Sequence, residues 1–164
     1  MVEVEVFGLA LDESSQIPLL ILKDREEQHV LPIWIGVMEA VAISMTLNEV
    51  DMPRPMTHDL FLNTIDQMGG ELQRVEVIDL REGTFYAELV VAYGETVKRV
   101  DSRPSDAVAL ALRATCPIFV HENVFEAVEK RKGKSYEVGV QEEEAEKWTD
   151  MLESLDLDDL KYKM

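Results

Sequence analysis

Two short stretches share one order of residue types: an arginine, a proline, a hydroxyl residue and an aspartate. The first is "RPMTHDL", residues 54 to 60, and the second lies within "DSRPSDAVALALR", residues 101 to 113. Arg54 and Arg103 are the side chains that would hold a phosphate, helped by the hydroxyls of Ser102 and Ser105 and by free amides at a helix start. Asp59, Asp101 and Asp106 are carboxylates suited to binding a divalent cation or orienting a water. His58 adds a group that titrates near neutrality and could act as base, acid or ligand. Glu39, a lone carboxylate in the apolar run "VMEAVAISMTLNEV", completes the set; buried, it needs a partner such as Arg103 or Arg113, and so held it would suit proton transfer beside His58.

A structural reading accounts for the same residues. Pro104 fits a first helical position, Ser102 or Arg103 the cap region, and Asp106 the first turn, where a carboxylate favours exposed amides and the helix dipole. Thr57 reads as the N-cap of the helix after "DMPRP". Either way, the two polar stretches must sit at helix starts.

The elements that place them recur along the chain. "VEVEVFGLAL", "IPLLILKD" and "HVLPIWIG" read as three strands, followed by a helix from residue 37 that is apolar on nearly every side and so should be buried in a core or against another subunit. A helix over residues 58 to 68 turns Leu60, Ile65 and Met68 to one face and ends at Gly69 and Gly70. "ELQRVEVIDL", "TFYAELVVAY" and "ETVKRVDS" form three more strands, followed by the Ala-rich helix after Pro104. This order suggests two copies of a three-strand-plus-helix unit. "PIFVH" is a seventh strand and "ENVFEAVEKRK" an amphipathic helix with Val124, Phe125 and Val128 inward. The expectation is an α+β fold: a mixed, mostly antiparallel sheet with packed helices over residues 1 to 132, and an acidic C-terminal helical tail over 133 to 164.

Composition restricts the function. Acidic residues outnumber basic ones 33 to 16, a net charge of -17 that repels a polyanion unless a cation intervenes. Cys116 is the single cysteine, which excludes an intrachain disulfide and fits a reducing, cytoplasmic setting. Neither a secretory leader nor a membrane-length apolar run is read, and His29, His121, Trp34 and Phe85 are taken as structural. Phosphate-binding loop, dinucleotide fingerprint, CxxC and HExxH patterns are absent from the sequence.

Together "LPIWIGVMEAVAI", "RPMTHDL" and "DSRPSDAVALALR" followed by "PIFV" resemble the bifunctional nuclease family over about residues 1 to 125. The resemblance implies a compact α/β domain that forms dimers and a nuclease activity on DNA and RNA. The matched positions are Glu39, Arg54, His58, Asp59, Asp101, Ser102, Arg103, Ser105 and Asp106. Two functions are therefore expected. One is phosphodiester hydrolysis with Mg²⁺ or Mn²⁺, in which Glu39, His58, Asp59 and Asp106 do the chemistry and Arg54, Arg103, Ser102 and Ser105 hold phosphate. The other is a non-catalytic homodimeric module that binds a small anion or a protein partner.

Overall fold

The computed structural model describes residues 1 to 132 apart from 13, 14 and 27, with the side chains of 131 and 132 left out; the tail expected over 133 to 164 lies outside the described residues. Period-two alternation in the sequence becomes a seven-stranded sheet: β1 (Val2–Leu11), β2 (Pro18–Asp24), β3 (Val30–Trp34), β4 (Gly70–Arg81), β5 (Thr84–Tyr93), β6 (Thr96–Ser102) and β7 (Ile118–Val120). Their spatial order is β3-β2-β1-β7-β4-β5-β6. Every neighbouring pair is antiparallel except β4 with β7. The fold is α+β, as expected.

Two three-strand meanders thus flank the short strand β7, and each leads into an Ala-rich helix, α1 (Val37–Leu47) after the first and α3 (Pro104–Ala114) after the second. The repeated order of elements in the sequence is matched by this arrangement in space. Helix α2 (Thr57–Gln67) interrupts the repeat, and α4 (Glu122–Lys132) ends the described chain. The β4–β5 hairpin closes on Glu82 and Gly83, both at positive φ (49° and 92°), between the paired Arg81 and Thr84. Glycine takes that backbone without a Cβ penalty, and such two-residue turns match the right-handed twist of the strands.

One core holds the helices to the sheet. Leu72, Val75 and Val77 of β4 and Ala87, Leu89 and Val91 of β5 pack with Val108, Leu110 and three alanines of α3, and with Ala40 and Ile43 of α1. Alanine at facing positions lets α1 and α3 approach closely, and the two helices pack on one another. Seven of the eleven residues of α3 are buried, so this helix is core on most of its circumference. The described residues of the chain cover helix α1 on one side only. Only Ala40, Ile43 and Ser44 are buried, while Val37, Met38 and Leu47 face outward. Its hydrophobicity is distributed around the axis, so periodicity alone could not tell the inner face from the outer one.

Helix α2 corrects two expectations. Its N-cap is Met56, in extended backbone, and Thr57 is the first helical residue. The Asp59 carboxylate accepts a hydrogen bond from the Met56 N–H at 2.8 Å, so the Asp at N3 starts the helix one residue earlier than the hydroxyl rule suggests. Leu62 and Ile65 pack against the core, whereas Leu60 and Met68 are exposed. On α4, Val124 and Phe125 are buried and Val128 packs against the core, as the sequence indicated.

Candidate functional site

The start of α3 is where β6 stops. Arg103 holds extended backbone (φ -72°, ψ 145°) as N-cap, Pro104 takes the first helical position, and Asp106 falls in the first turn. Arg103 then closes a charged knot. Its Nε and Nη2 donate to the two Asp106 oxygens at 2.6 and 3.0 Å, a bidentate pair, and its Nη1 donates to Glu39 Oε1 at 2.8 Å. Asp106 first and Glu39 second hold the guanidinium pKa above its ordinary value. The expected pairing of Glu39 with Arg103 or Arg113 is thereby resolved to Arg103.

Glu39 reaches Arg103 because α1 begins with Gly36. The carboxylate folds back over the helix start into the space that a Cβ at Gly36 would fill. A side chain there would displace Glu39 from Arg103. On the other side of Asp106, His58 Nε2 lies 3.3 Å from Oδ1. The first turn of α2 and the first turn of α3 therefore converge, 48 residues apart in the chain. Glu39, His58, Arg103 and Asp106 form one cluster.

Asp59 belongs to a different arrangement. Its side chain accepts from Arg113 Nε at 2.8 Å as well as from the Met56 amide. Arg113 in turn donates to the carbonyls of Ala109 and Ala42 at 2.9 and 3.0 Å, so a single largely buried guanidinium ties α1, α2 and α3 together. The role of Arg113 as a strut was missed in the sequence, since it lies on α3 two turns beyond the motif. Arg54 lines a cleft of about 480 Å³ together with Asp59 and Arg113, next to Glu49 and Asp51.

Two further clefts, of about 260 and 560 Å³, meet at Thr57, His58, Arg103 and Asp106. Glu39 lines the smaller; Asp101 and Ser102 line the larger, opposite Phe61, Phe85 and Tyr86. The Ser102 hydroxyl donates to the Arg103 carbonyl at 3.0 Å. Ser105 is buried and is not among the residues lining either cleft. Among the described residues no three His, Cys, Asp or Glu side chains come together so as to hold a metal ion. Of the three candidate ligands, Asp101 and Asp106 line the same 560 Å³ cleft, whereas Asp59 lies in the 480 Å³ cleft beside Arg113.

A second cluster of the same residue types lies on the other face of the sheet. Glu76, 1% exposed, accepts from Arg74 Nε at 2.7 Å and from Arg99 Nη1 and Nη2 at 2.9 and 3.3 Å, and lies 3.2 Å from His121 Nε2. Burial works to raise its pKa, yet the bonds from Arg99, Arg74 and His121 prevail and hold it at about 2. Sequence analysis did not single out Glu76, because its covering by Arg74, Arg99 and His121 depends on how the strands pair. His29 likewise has a partner, Asp24, at 3.1 Å, and stacks at a tilt on Phe125. Burial raises the Cys116 thiol to about 11, consistent with a packed, unreactive side chain.

The model of the bifunctional nuclease domain matches residues 20 to 132, which takes in every residue of the Arg103 cluster. An uncharacterized protein of Mycobacterium tuberculosis is 39% identical over 165 residues, covering 98% of this chain and 99% of its own length. Bifunctional nuclease 2 of Oryza sativa subsp. japonica is 29% identical over 121 residues, 71% of this chain and 37% of that protein. Bifunctional nuclease 1 of Arabidopsis thaliana is 29% identical over 119 residues, 70% of this chain and 37% of that protein. This chain belongs to the bifunctional nuclease domain family.

Proposed function

We propose that the protein hydrolyses phosphodiester bonds in DNA and RNA at the cluster of His58, Asp106, Arg103 and Glu39. The observation that carries this reading is the 3.3 Å approach of His58 to Asp106 at the junction of two clefts, beside an arginine whose side chain is 65% exposed. A phosphate entering the junction meets Arg103. Three of the five guanidinium N–H groups are used by Asp106 and Glu39, which leaves two to donate to phosphate oxygens. Asp106 accepts from His58 Nε2–H and fixes the tautomer whose Nδ1 can take a proton from an attacking water. Glu39 holds Arg103 from the α1 side, so the guanidinium keeps its plane when substrate arrives.

A net charge of -17 opposes a polyanionic substrate, and Arg103 alone cannot offset it. Asp59, Asp101 and Asp106 are the carboxylates that would hold a Mg²⁺ or Mn²⁺ ion, Asp101 and Asp106 from the 560 Å³ cleft and Asp59 from the 480 Å³ one. Such an ion would screen the carboxylates and withdraw charge from the scissile phosphate. Asp59 and Arg54 contribute from the neighbouring 480 Å³ cleft, where Arg54 takes a phosphate of the flanking strand. Asp101, Ser102 and Ser105 shape the start of α3. The protein works as a homodimer in the cytoplasm.

The second reading, a non-catalytic dimeric module for a small anion or a protein partner, is favoured by one observation: Asp59, Asp106 and Glu39 are all already paired with arginines. Purified full-length protein with Mg²⁺ or Mn²⁺, labelled single-stranded DNA and labelled RNA separates the two. Cleavage by the wild type that falls at least about 100-fold in His58→Ala plus Asp106→Ala is expected for an acid–base pair. Equal cleavage by the double variant rejects the assignment, and binding of inorganic phosphate without cleavage favours the module.

A further inference from the structure

The two edges of the sheet differ. On the β3 edge the strand is five residues long with Pro32 at its centre, which removes an N–H and blocks strand addition. The β6 edge, Thr96–Ser102, has no proline and pairs with β5 without a bulge over its whole length. Val97 and Val100 are 56% and 42% exposed there. The side chains of Asp101 and Lys98 have no hydrogen bond or ion pair among the described residues, and Arg99 is bonded through its two Nη atoms, leaving Nε–H open. A regular edge of this kind, left uncovered by the described residues, is a template for another strand.

We infer that a second copy of this chain adds its own β6 antiparallel to this one, centred on Val100, and that each copy supplies Lys98 to the other's cleft. The register follows from charge. Directly opposite residues in an antiparallel self-pair share a face, so a two-fold axis falls on a residue. Among registers that keep at least five residues of β6 paired, centring on Lys98 opposes two lysines, and centring on Arg99 opposes two arginines. Centring on Val100 sets Val100 against Val100 and places Arg99 opposite Asp101 twice, joining the open Nε–H to the unpartnered carboxylate.

The same register places the partner's Lys98 opposite Ser102. Val91, Leu89 and Ala87 pair with Lys98, Val100 and Ser102, so these three β6 residues share the helix-covered face. Ser102 lines the 560 Å³ cleft that also holds His58, Arg103 and Asp106. The second copy therefore brings an ammonium that is unpaired among the described residues to a site where the chain's own Arg103 is already paired with two carboxylates. Two acidic chains meet at a strand that carries Lys98 and Arg99 against a single Asp101. The interface stands without the nuclease reading; the service of Lys98 to the site rests on it.

Sedimentation of the full chain at micromolar concentration is expected to give a dimer, and Asp101→Arg, which faces Arg99 with like charge, to weaken it at least about 10-fold. In a Cys116→Ala background, Val100→Cys should form a disulfide-linked dimer on mild oxidation, as should Lys98→Cys combined with Ser102→Cys, because opposed strand residues lie within disulfide reach. Lys98→Cys alone should not. Lys98→Ala should keep the dimer and lower cleavage of labelled RNA at least 10-fold. A monomeric wild type, or cross-linking through Lys98→Cys alone with none through Val100→Cys, overturns the interface. Full cleavage by dimeric Lys98→Ala overturns the shared site. A cross-linked wild-type dimer that cleaves nothing keeps the interface and removes the nuclease reading.

Discussion

Glu76 and Asp106 sit on opposite faces of one sheet with the same kinds of neighbour, and they have opposite properties. Around Glu76, two arginines and a histidine surround a carboxylate that is 1% exposed. Around Asp106, one arginine and one histidine flank a carboxylate that opens into two clefts, with Arg103 mostly exposed. A closed knot is filled by the protein's own groups and has no room for a ligand; an open one leaves donors facing solvent. The residue types alone do not separate structure from chemistry. What separates them is whether the carboxylate is covered or opens into a cleft.

Substitutions at the two knots should therefore produce opposite outcomes. The largest effect is expected for His58→Ala, which should lower cleavage about 100-fold or more while the melting temperature shifts by less than about 4 °C, since His58 makes one long contact and a change of about 1 kcal/mol moves a domain of this size by about 2 to 4 °C. Next in size, Glu76→Ala should cost about 3 kcal/mol or more of stability, read by urea titration, because it strands two arginines and a histidine over the core. A near-normal midpoint for Glu76→Ala would erase the contrast between the knots.

Acid should act on the closed knot. The Glu76 carboxyl falls from an ordinary value of 4.5 to about 2 on folding, so the native state favours its charged form. That stability is fully present above about pH 4.5 and is lost as the pH falls toward 2, with a magnitude on the order of 3 kcal/mol. Glu76→Gln should flatten the urea midpoint across this window; an unchanged slope would remove Glu76 as its source. Arg113→Met is expected to cost about 2 kcal/mol through the loss of bonds to Asp59, Ala42 and Ala109. Smallest of all, Arg103→Ala should cost only about 1 kcal/mol despite its three bonds, since exposed ion pairs are screened by water.

Much of the fold was legible in the sequence because alternation and composition report burial directly. "VEVEV" alternates since one face of β1 meets the core, and Pro104 marks the start of α3 because its fixed φ suits a first helical residue. The face of α2 was misread through Leu60 and Met68, since a helix that packs on α3 and β4 with one side leaves the apolar residues of its other side exposed, and a single-helix pattern does not show which side is covered. At the site, the pairing of Glu39 with Arg103 could be anticipated from the cost of an unpaired buried carboxylate. The meeting of His58 with Asp106, and the diversion of Asp59 to Arg113, depend on how α2 is laid against α3. No linear spacing encodes that angle. Gly36 is the exception in hindsight: a glycine three residues before a glutamate at a helix start is a signal for a carboxylate folded over its own backbone.

The contrast between the open and closed knots comes down to Asp106. Cleavage of labelled single-stranded RNA by Asp106→Asn, with Mg²⁺ or Mn²⁺ and at equal folded fraction, measures it with almost no change of shape. A loss of at least about 100-fold is expected, because the amide no longer provides the negative charge that orients and supports a protonated His58. Wild-type rates in Asp106→Asn would contradict the assignment and leave the start of α3 as a salt-bridged helix terminus.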